Sequence, residues 1–240
     1  MLLNLFQNGL DGQAFIELIY FIIIWFISLT IHEYSHGYIA YKLGDPTAKN
    51  FGRLTINPVK HIDPIGLLMI LIIGFGWAKP VPINPRYFKN PKKGMAISAA
   101  AGPISNILLA FIGALIYAIL LHLFLYINFW NSVAVSALIF FNYFAMINVW
   151  FAVFNLIPIP PLDGSRIVSY FLPPRLHYYY NYIERYGFII LILLMNVGRL
   201  ERMMPFLRYI NIISGIQTVS GWILSGINYP INWIFSLFGG

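Results

Sequence analysis

Between Met95 and Ile127, and again between Val133 and Leu156, the chain carries no Lys, Arg, Asp or Glu. A bilayer core is about 30 Å thick, so about 20 consecutive apolar residues cross it as a helix. Both runs meet that length, and so does the run from Phe15 to Tyr41, whose only charges are Glu17 and Glu33. Three spanning helices are therefore expected. A fourth candidate, Tyr186 to Val197, is short. A fifth, Phe206 to Ile227, contains Gly215, Gly221 and Gly226 and either spans or lies in the interface. Trp222, Tyr229 and Trp233 supply aromatic residues of the kind enriched at headgroup level.

Composition agrees. The 240 residues are 59% hydrophobic and 10% charged, against about 45–50% and about 25% in soluble domains. A soluble fold cannot hide that much apolar surface, and disorder needs the opposite balance. The net charge of +7 does not mark a nucleic-acid binder, because the basic residues sit between apolar runs and form no stripe. With no cysteine, thiolate catalysis and Cys-based metal sites are excluded, so any metal falls to His, Asp or Glu. No residue before Lys42 is basic. The N-terminus thus lacks the n-region of a secretory signal, and the first segment is expected to be retained.

Nine of the 15 Lys and Arg fall between Lys42 and Lys93. The positive-inside rule places that connection in the cytoplasm and the N-terminus outside. The segment Ile157 to Arg185 then returns to the cytoplasm, while Arg199, Arg202 and Arg208 break the pattern. Within the first connection, Ile65 to Ile73 is strongly apolar but too short to span. It ends in Gly74-Phe-Gly76 and Lys79-Pro-Val-Pro82. It reads as a re-entrant or interfacial element, with a surface loop as the alternative, and its Gly and Pro argue against a continuous helix. The fold expected is an all-α polytopic membrane protein. It has a three-helix catalytic core over about 15–170, a re-entrant or β-like loop, and one to three further membrane segments over about 183–240. All of it is one domain, 1–240.

The first helix ends in His32-Glu33-Tyr34-Ser35-His36, the pattern H-E-x-x-H. Residues four apart share one helix face, so two imidazoles can address one metal ion. Glu33 beside them can take a proton from a metal-bound water, the division of labour in zinc hydrolases. Ionisable residues inside a membrane helix are costly and mark function by default. Hydration near the cytoplasmic helix end is the plainer alternative.

A third protein ligand is still required. Position 42 is lysine, not the histidine of the extended soluble-protease motif, and no glutamate lies between Glu33 and Glu184. Asp45 and Asp63 flank Pro46 and Pro64, where they suit turns. Asp163 follows the third helix after Pro158, Pro160 and Pro161 and precedes Gly164, which presents it from a bent segment near the depth of His36. Asp163 is the favoured ligand, with a helix cap as the alternative. Asn106, Asn142 and Asn148 are read as interhelical hydrogen-bonding groups. Of these, Asn106 is the one expected to line the site.

These residues resemble the site-2 protease family of intramembrane zinc metalloproteases, in its compact bacterial form without PDZ or CBS domain. His32 to His36 is similar to the family's first motif, and Asn155 through Leu162-Asp163-Gly164 to its second. Ala101-Gly-Pro-Ile-Ser-Asn106 is similar to a Gly-Pro-x-x-Asn feature of the central helix. The resemblance covers about residues 15–170. It implies one Zn²⁺ held by His32, His36 and Asp163, and Glu33 as general base. Asn155, with Asn106 a weaker candidate, would bind the substrate backbone or the developing oxyanion. The connection 65–82 would correspond to a membrane-embedded strand region able to pair with unwound substrate. The implied activity is cleavage of single-span or membrane-anchored proteins in the cell membrane, with the site toward the cytoplasm. The partners are substrate protein and bilayer, with no nucleic acid. A metal-ion transporter or an inactive membrane chaperone using the same ligands are the alternatives. Transport favours ionisable residues strung across the bilayer, whereas here they gather at one depth. Substrate identity and oligomeric state are not encoded legibly.

Overall fold

The computed structural model describes residues 12–73, 76–195 and 212–238. Among these the chain is helical, with no strand. Three long helices form the frame: α1 (Gly12–Lys42), α4 (Pro91–Tyr126) and α5 (Ser132–Asn155). All three are long and apolar enough to cross a membrane. Shorter helices are α2 (Thr47–Asn50), α3 (Pro64–Ile73), α6 (Asp163–Phe171), α7 (Pro174–Glu184) and α8 (Gly187–Met195). The last is α9 (Ile212–Phe238).

The boundaries follow from local chemistry. Asn90 caps α4 by accepting from the Lys93 amide at 3.1 Å, with Pro91 in the first turn. Asn131 caps α5 by accepting from Ala134 at 2.9 Å. Both side chains satisfy an amide that the helix start would leave unpaired. α1 stops where Gly44 takes φ +107°, a conformation that glycine alone adopts without penalty.

α4 is the centre of the bundle, packing against α1, α5 and α6. Its buried face is small, with Ala99, Gly102, Ala110, Gly113, Ala114 and Ala118. Small residues let membrane helices approach closely when lipid offers no hydrophobic drive. The opposite faces remain exposed and apolar, including Ile19, Ile23 and Ile27 on α1 and Ile104, Leu108 and Ile112 on α4. Such stripes suit contact with lipid. α9 packs on α4 and α5 through Leu224, Ile227 and Ile231. It runs past the Ile227 limit expected from sequence, to Phe238. The part of that expected segment before Ile212 and the three arginines at 199, 202 and 208 lie outside the described residues.

The first connection differs from the sequence expectation. The apolar run is a continuous ten-residue helix, α3; Gly66 does not interrupt it. That helix is too short to span. Residues 76–84 belong to no helix and no sheet. They are held by individual bonds instead. Lys79 N donates to His61 O at 2.9 Å, Lys79 O accepts from Arg53 at 2.6 Å, and Asn84 N donates to Asp45 at 2.7 Å. Prolines at 80 and 82 remove alternate amides, so one edge of the segment cannot donate to a ladder.

Asp45 anchors this connection. It is fully buried and also accepts from the amide and hydroxyl of Thr47. Hydrogen bonds to a charged group contribute about 1.5–3 kcal/mol each. Asp45→Ala is therefore expected to lower the thermal midpoint of the detergent-solubilised protein. An unchanged midpoint would show that the segment is held by packing alone.

Candidate functional site

His32 and His36 lie one turn apart on α1, both buried. At 1.5 Å per residue they sit about 15 and 9 Å from the helix end at Lys42. Asp163 opens α6, reached from the end of α5 through the Pro-rich turn 156–162. Gly164 makes that approach possible, since a Cβ there would lie 2.2 Å from the Leu156 carbonyl oxygen. Tyr180 on α7 donates to Pro158 O at 2.7 Å and braces the turn. Its phenol stays protonated. Burial, and then Glu184, push its pKa above the ordinary value against a hydrogen bond with Ser165.

The two helices bring three ligand atoms together. Asp163 Oδ2 is 3.1 Å from Nε2 of His32 and 3.1 Å from Nε2 of His36, and the two Nε2 atoms are 3.0 Å apart. The other ring nitrogens are engaged. His36 Nδ1 meets Ser98 O at 2.7 Å and His32 Nδ1 meets Asn106 Oδ1 at 2.6 Å. A carbonyl oxygen only accepts, so both Nδ1 atoms carry a proton, and in the neutral rings both Nε2 atoms present lone pairs. With both rings neutral, three lone-pair atoms face one another, an arrangement that a shared cation stabilises. The donor set, two imidazoles and a carboxylate, suits zinc. Tetrahedral bonds of about 2.0–2.1 Å give ligand separations near 3.3 Å, within a few tenths of those present. Outer partners on the free ring nitrogens are the usual companions of metal-binding histidines.

This cluster lines a cavity of about 640 Å³. Its walls include Phe21, Trp25, Leu29, Trp150, Phe151 and Phe154. Glu33 lines the same cavity. Its Oε2 accepts from the Val81 amide at 2.8 Å, while Oε1 has no protein partner among the described residues. Asn155 also reaches the cavity. One of its amide protons goes to Phe151 O at 3.0 Å on its own helix, which leaves the second available.

Asn106 does not face the cavity. It is fully buried behind His32, with its oxygen on the imidazole and its nitrogen on Asn148 at 2.9 Å. Its polar atoms are thus engaged with His32 and Asn148, away from the cavity where a substrate or oxyanion role was expected of it. Asn148 is an interhelical hydrogen-bonding residue as expected. Asn142 lines a separate small cavity between α4, α5 and α9.

Several contributors carry no signal of chemistry in the sequence. Ser98 acts through its backbone carbonyl, which any residue possesses. Val81 acts through its backbone amide. Gly102 acts by lacking a side chain, since a Cβ there would lie 2.5 Å from both imidazoles; the Gly-Pro break in an apolar helix was its visible sign. Arg166, one turn after Asp163, also lines the cavity.

The sequence model of peptidase family M50 matches residues 121–195, a stretch holding Asn155 and Asp163 but not the first motif. A Bacillus subtilis protein named "Putative zinc metalloprotease YwhC" is 43% identical over 175 residues, 73% of this chain and 79% of its own length. A Mycolicibacterium smegmatis protein named "Putative zinc metalloprotease Rip2" is 30% identical, covering 74% of this chain and 67% of its own. The protein of that name from Mycobacterium tuberculosis strain H37Rv is 26% identical over 90% of this chain. No solved structure matches.

Proposed function

From the premise that this chain belongs to peptidase family M50, the site-2 protease family, and is a membrane zinc metalloprotease, we propose that it is an intramembrane endopeptidase. It cleaves membrane-anchored proteins in or near their transmembrane segments, in regulated intramembrane proteolysis. The observation that carries this reading is the joining of the His32, His36 and Asp163 triangle and Glu33 in one apolar cavity, on a helix long enough to span a bilayer.

In this reading His32, His36 and Asp163 hold the ion. Zinc there supplies a water of lowered pKa and a Lewis acid for the peptide carbonyl. Glu33 takes the proton from the attacking water through Oε1 and delivers it to the leaving amine nitrogen. Its second oxygen stays on Val81, which fixes the carboxylate plane. Asn155 donates its free amide proton to the peptide oxygen as charge develops, a contribution typically worth about 2.7–4 kcal/mol. The aromatic walls receive apolar side chains and exclude bulk water, which strengthens each of these interactions. The whole chain acts as one membrane domain. Its basic 42–93 connection lies on the cytoplasmic side of the cell membrane, which sets the site near that face.

Purified protein in proteoliposomes with a single-span reporter tests the reading. Cleavage within the reporter's membrane segment is expected, loss of cleavage on zinc chelation, and recovery on adding zinc. Cleavage that persists without zinc, or that is confined to soluble peptides, would overturn it.

A further inference from the structure

We propose that Asn148 on α5, which touches neither imidazole, is a positioning residue that dictates which ring nitrogen of His32 carries the proton. The proposal rests on the zinc-centre reading above. Its basis is a directed chain of hydrogen bonds across three helices.

The chain starts at a group with one possible role. The Phe144 carbonyl can only accept, and Asn148 Nδ2 lies 2.8 Å from it. The Asn148 amide is thereby oriented, with Oδ1 toward α4. There it accepts from Asn106 Nδ2 at 2.9 Å. That contact orients the Asn106 amide in turn, with its Oδ1 toward α1, 2.6 Å from His32 Nδ1. An amide oxygen accepts, so Nδ1 donates and the lone pair falls on Nε2. Each link has one consistent direction, and it is set by a backbone carbonyl on the far side of the bundle.

The reverse arrangement is chemically possible and useless. Were Asn106 flipped, its NH₂ would face His32 Nδ1 and move the ring proton to Nε2. That proton would then sit between His32 and Asp163, where the ion belongs. Asn106 and Asn148 are both fully buried and His32 nearly so, so bulk water is not at hand to satisfy a flipped amide. Ser28 O lies 3.5 Å from Asn106 Nδ2, the outer limit of a hydrogen bond and too long to hold the amide alone. His36 reaches the same state in one step, because Ser98 O stands directly opposite its Nδ1. Among the described residues no backbone carbonyl meets His32 Nδ1, and two asparagines carry the signal instead.

The test measures zinc affinity of the full-length, detergent-solubilised protein by chelator competition. His32→Ala reports on the zinc centre itself; undiminished affinity there would fail the zinc reading and not this one. Asn148→Leu is expected to lose about 10–100-fold in affinity, the usual effect of removing an outer partner of a metal ligand. Asn142→Leu, on the same helix but outside the chain of bonds, is expected to match wild type. Adding Asn106→Asp to Asn148→Leu is expected to restore affinity, because a carboxylate presents an acceptor to His32 in either orientation. Undiminished affinity in Asn148→Leu, an equal loss in Asn142→Leu, or no restoration by Asn106→Asp would each overturn the proposal. Should Asn148→Leu fail to fold, the imidazole ¹⁵N spectrum of the metal-free wild type decides. Recorded with the rings neutral, Nδ1–H on both His32 and His36 supports the proposal, and a neutral His32 protonated at Nε2 overturns it.

Discussion

Glu33→Gln is expected to keep its zinc and to lose peptide-bond cleavage by about 10²–10⁴-fold, the usual worth of a general acid–base group. The amide is isosteric with the carboxylate and keeps an oxygen for the Val81 amide, so the bond that Glu33 makes at 2.8 Å survives. What it cannot do is take a proton. The three ligand atoms are contributed by other residues, within 4.8 Å of one another, so metal content is expected to stay at the wild-type level. Metal analysis and reporter cleavage on one preparation separate the two effects. Wild-type turnover in the variant would remove Glu33 from the chemistry. Loss of zinc would show that Glu33 supports the ligands instead.

Gly102→Ala is expected to lose zinc and activity together while the chain remains folded. A Cβ at that position would lie 2.5 Å from Cε1 of His32 and from Cε1 and Nε2 of His36, well inside van der Waals contact. The rings cannot retreat freely, since Asn106 and Ser98 hold their Nδ1 atoms at 2.6 and 2.7 Å. Relief comes from rotating the rings or parting α1 from α4, and either opens the triangle with Asp163. Alanine is the better helix former by about 1 kcal/mol, so propensity and site oppose each other here. The expected signature is a thermal midpoint near wild type with zinc affinity reduced by at least about tenfold, as for other disturbances of metal-ligand orientation. Wild-type affinity would mean that α4 yields without cost.

Much of this centre was legible beforehand, and each legible part was legible for a local reason. His32, Glu33 and His36 share one stretch of helix, and helical periodicity alone puts the two imidazoles on one face. Asp163 was favoured by elimination, because the chain holds few acidic residues and three prolines forbid the helix from continuing past Asn155, and it lies against both imidazoles. Asp63 caps α3 through Gly66 at 2.8 Å, and Asp45 bonds the Thr47 amide at 2.9 Å; both are turn roles read from the neighbouring proline. The apolar run at 64–73 was harder. Short runs carry no decisive period, and the Gly and Pro that argued against a helix there bound or tolerate one.

What the sequence by itself determined is the set of local facts. It set which segments are long and apolar enough to span a bilayer, that any metal falls to His, Asp or Glu, and that two of the candidate ligands lie one turn apart. These depend on hydrophobicity and on contacts within a few residues. Only the tertiary structure decided which face of Asn106 looks at His32, that Ser98 and Val81 serve through their backbones, and that 76–84 is pinned by single hydrogen bonds outside any sheet. Those outcomes depend on the distance and angle at which α1, α4 and α5 cross. A carbonyl or amide gains its role from what packs opposite it, and every residue offers one. Its importance is therefore created by packing and leaves no mark in residue type.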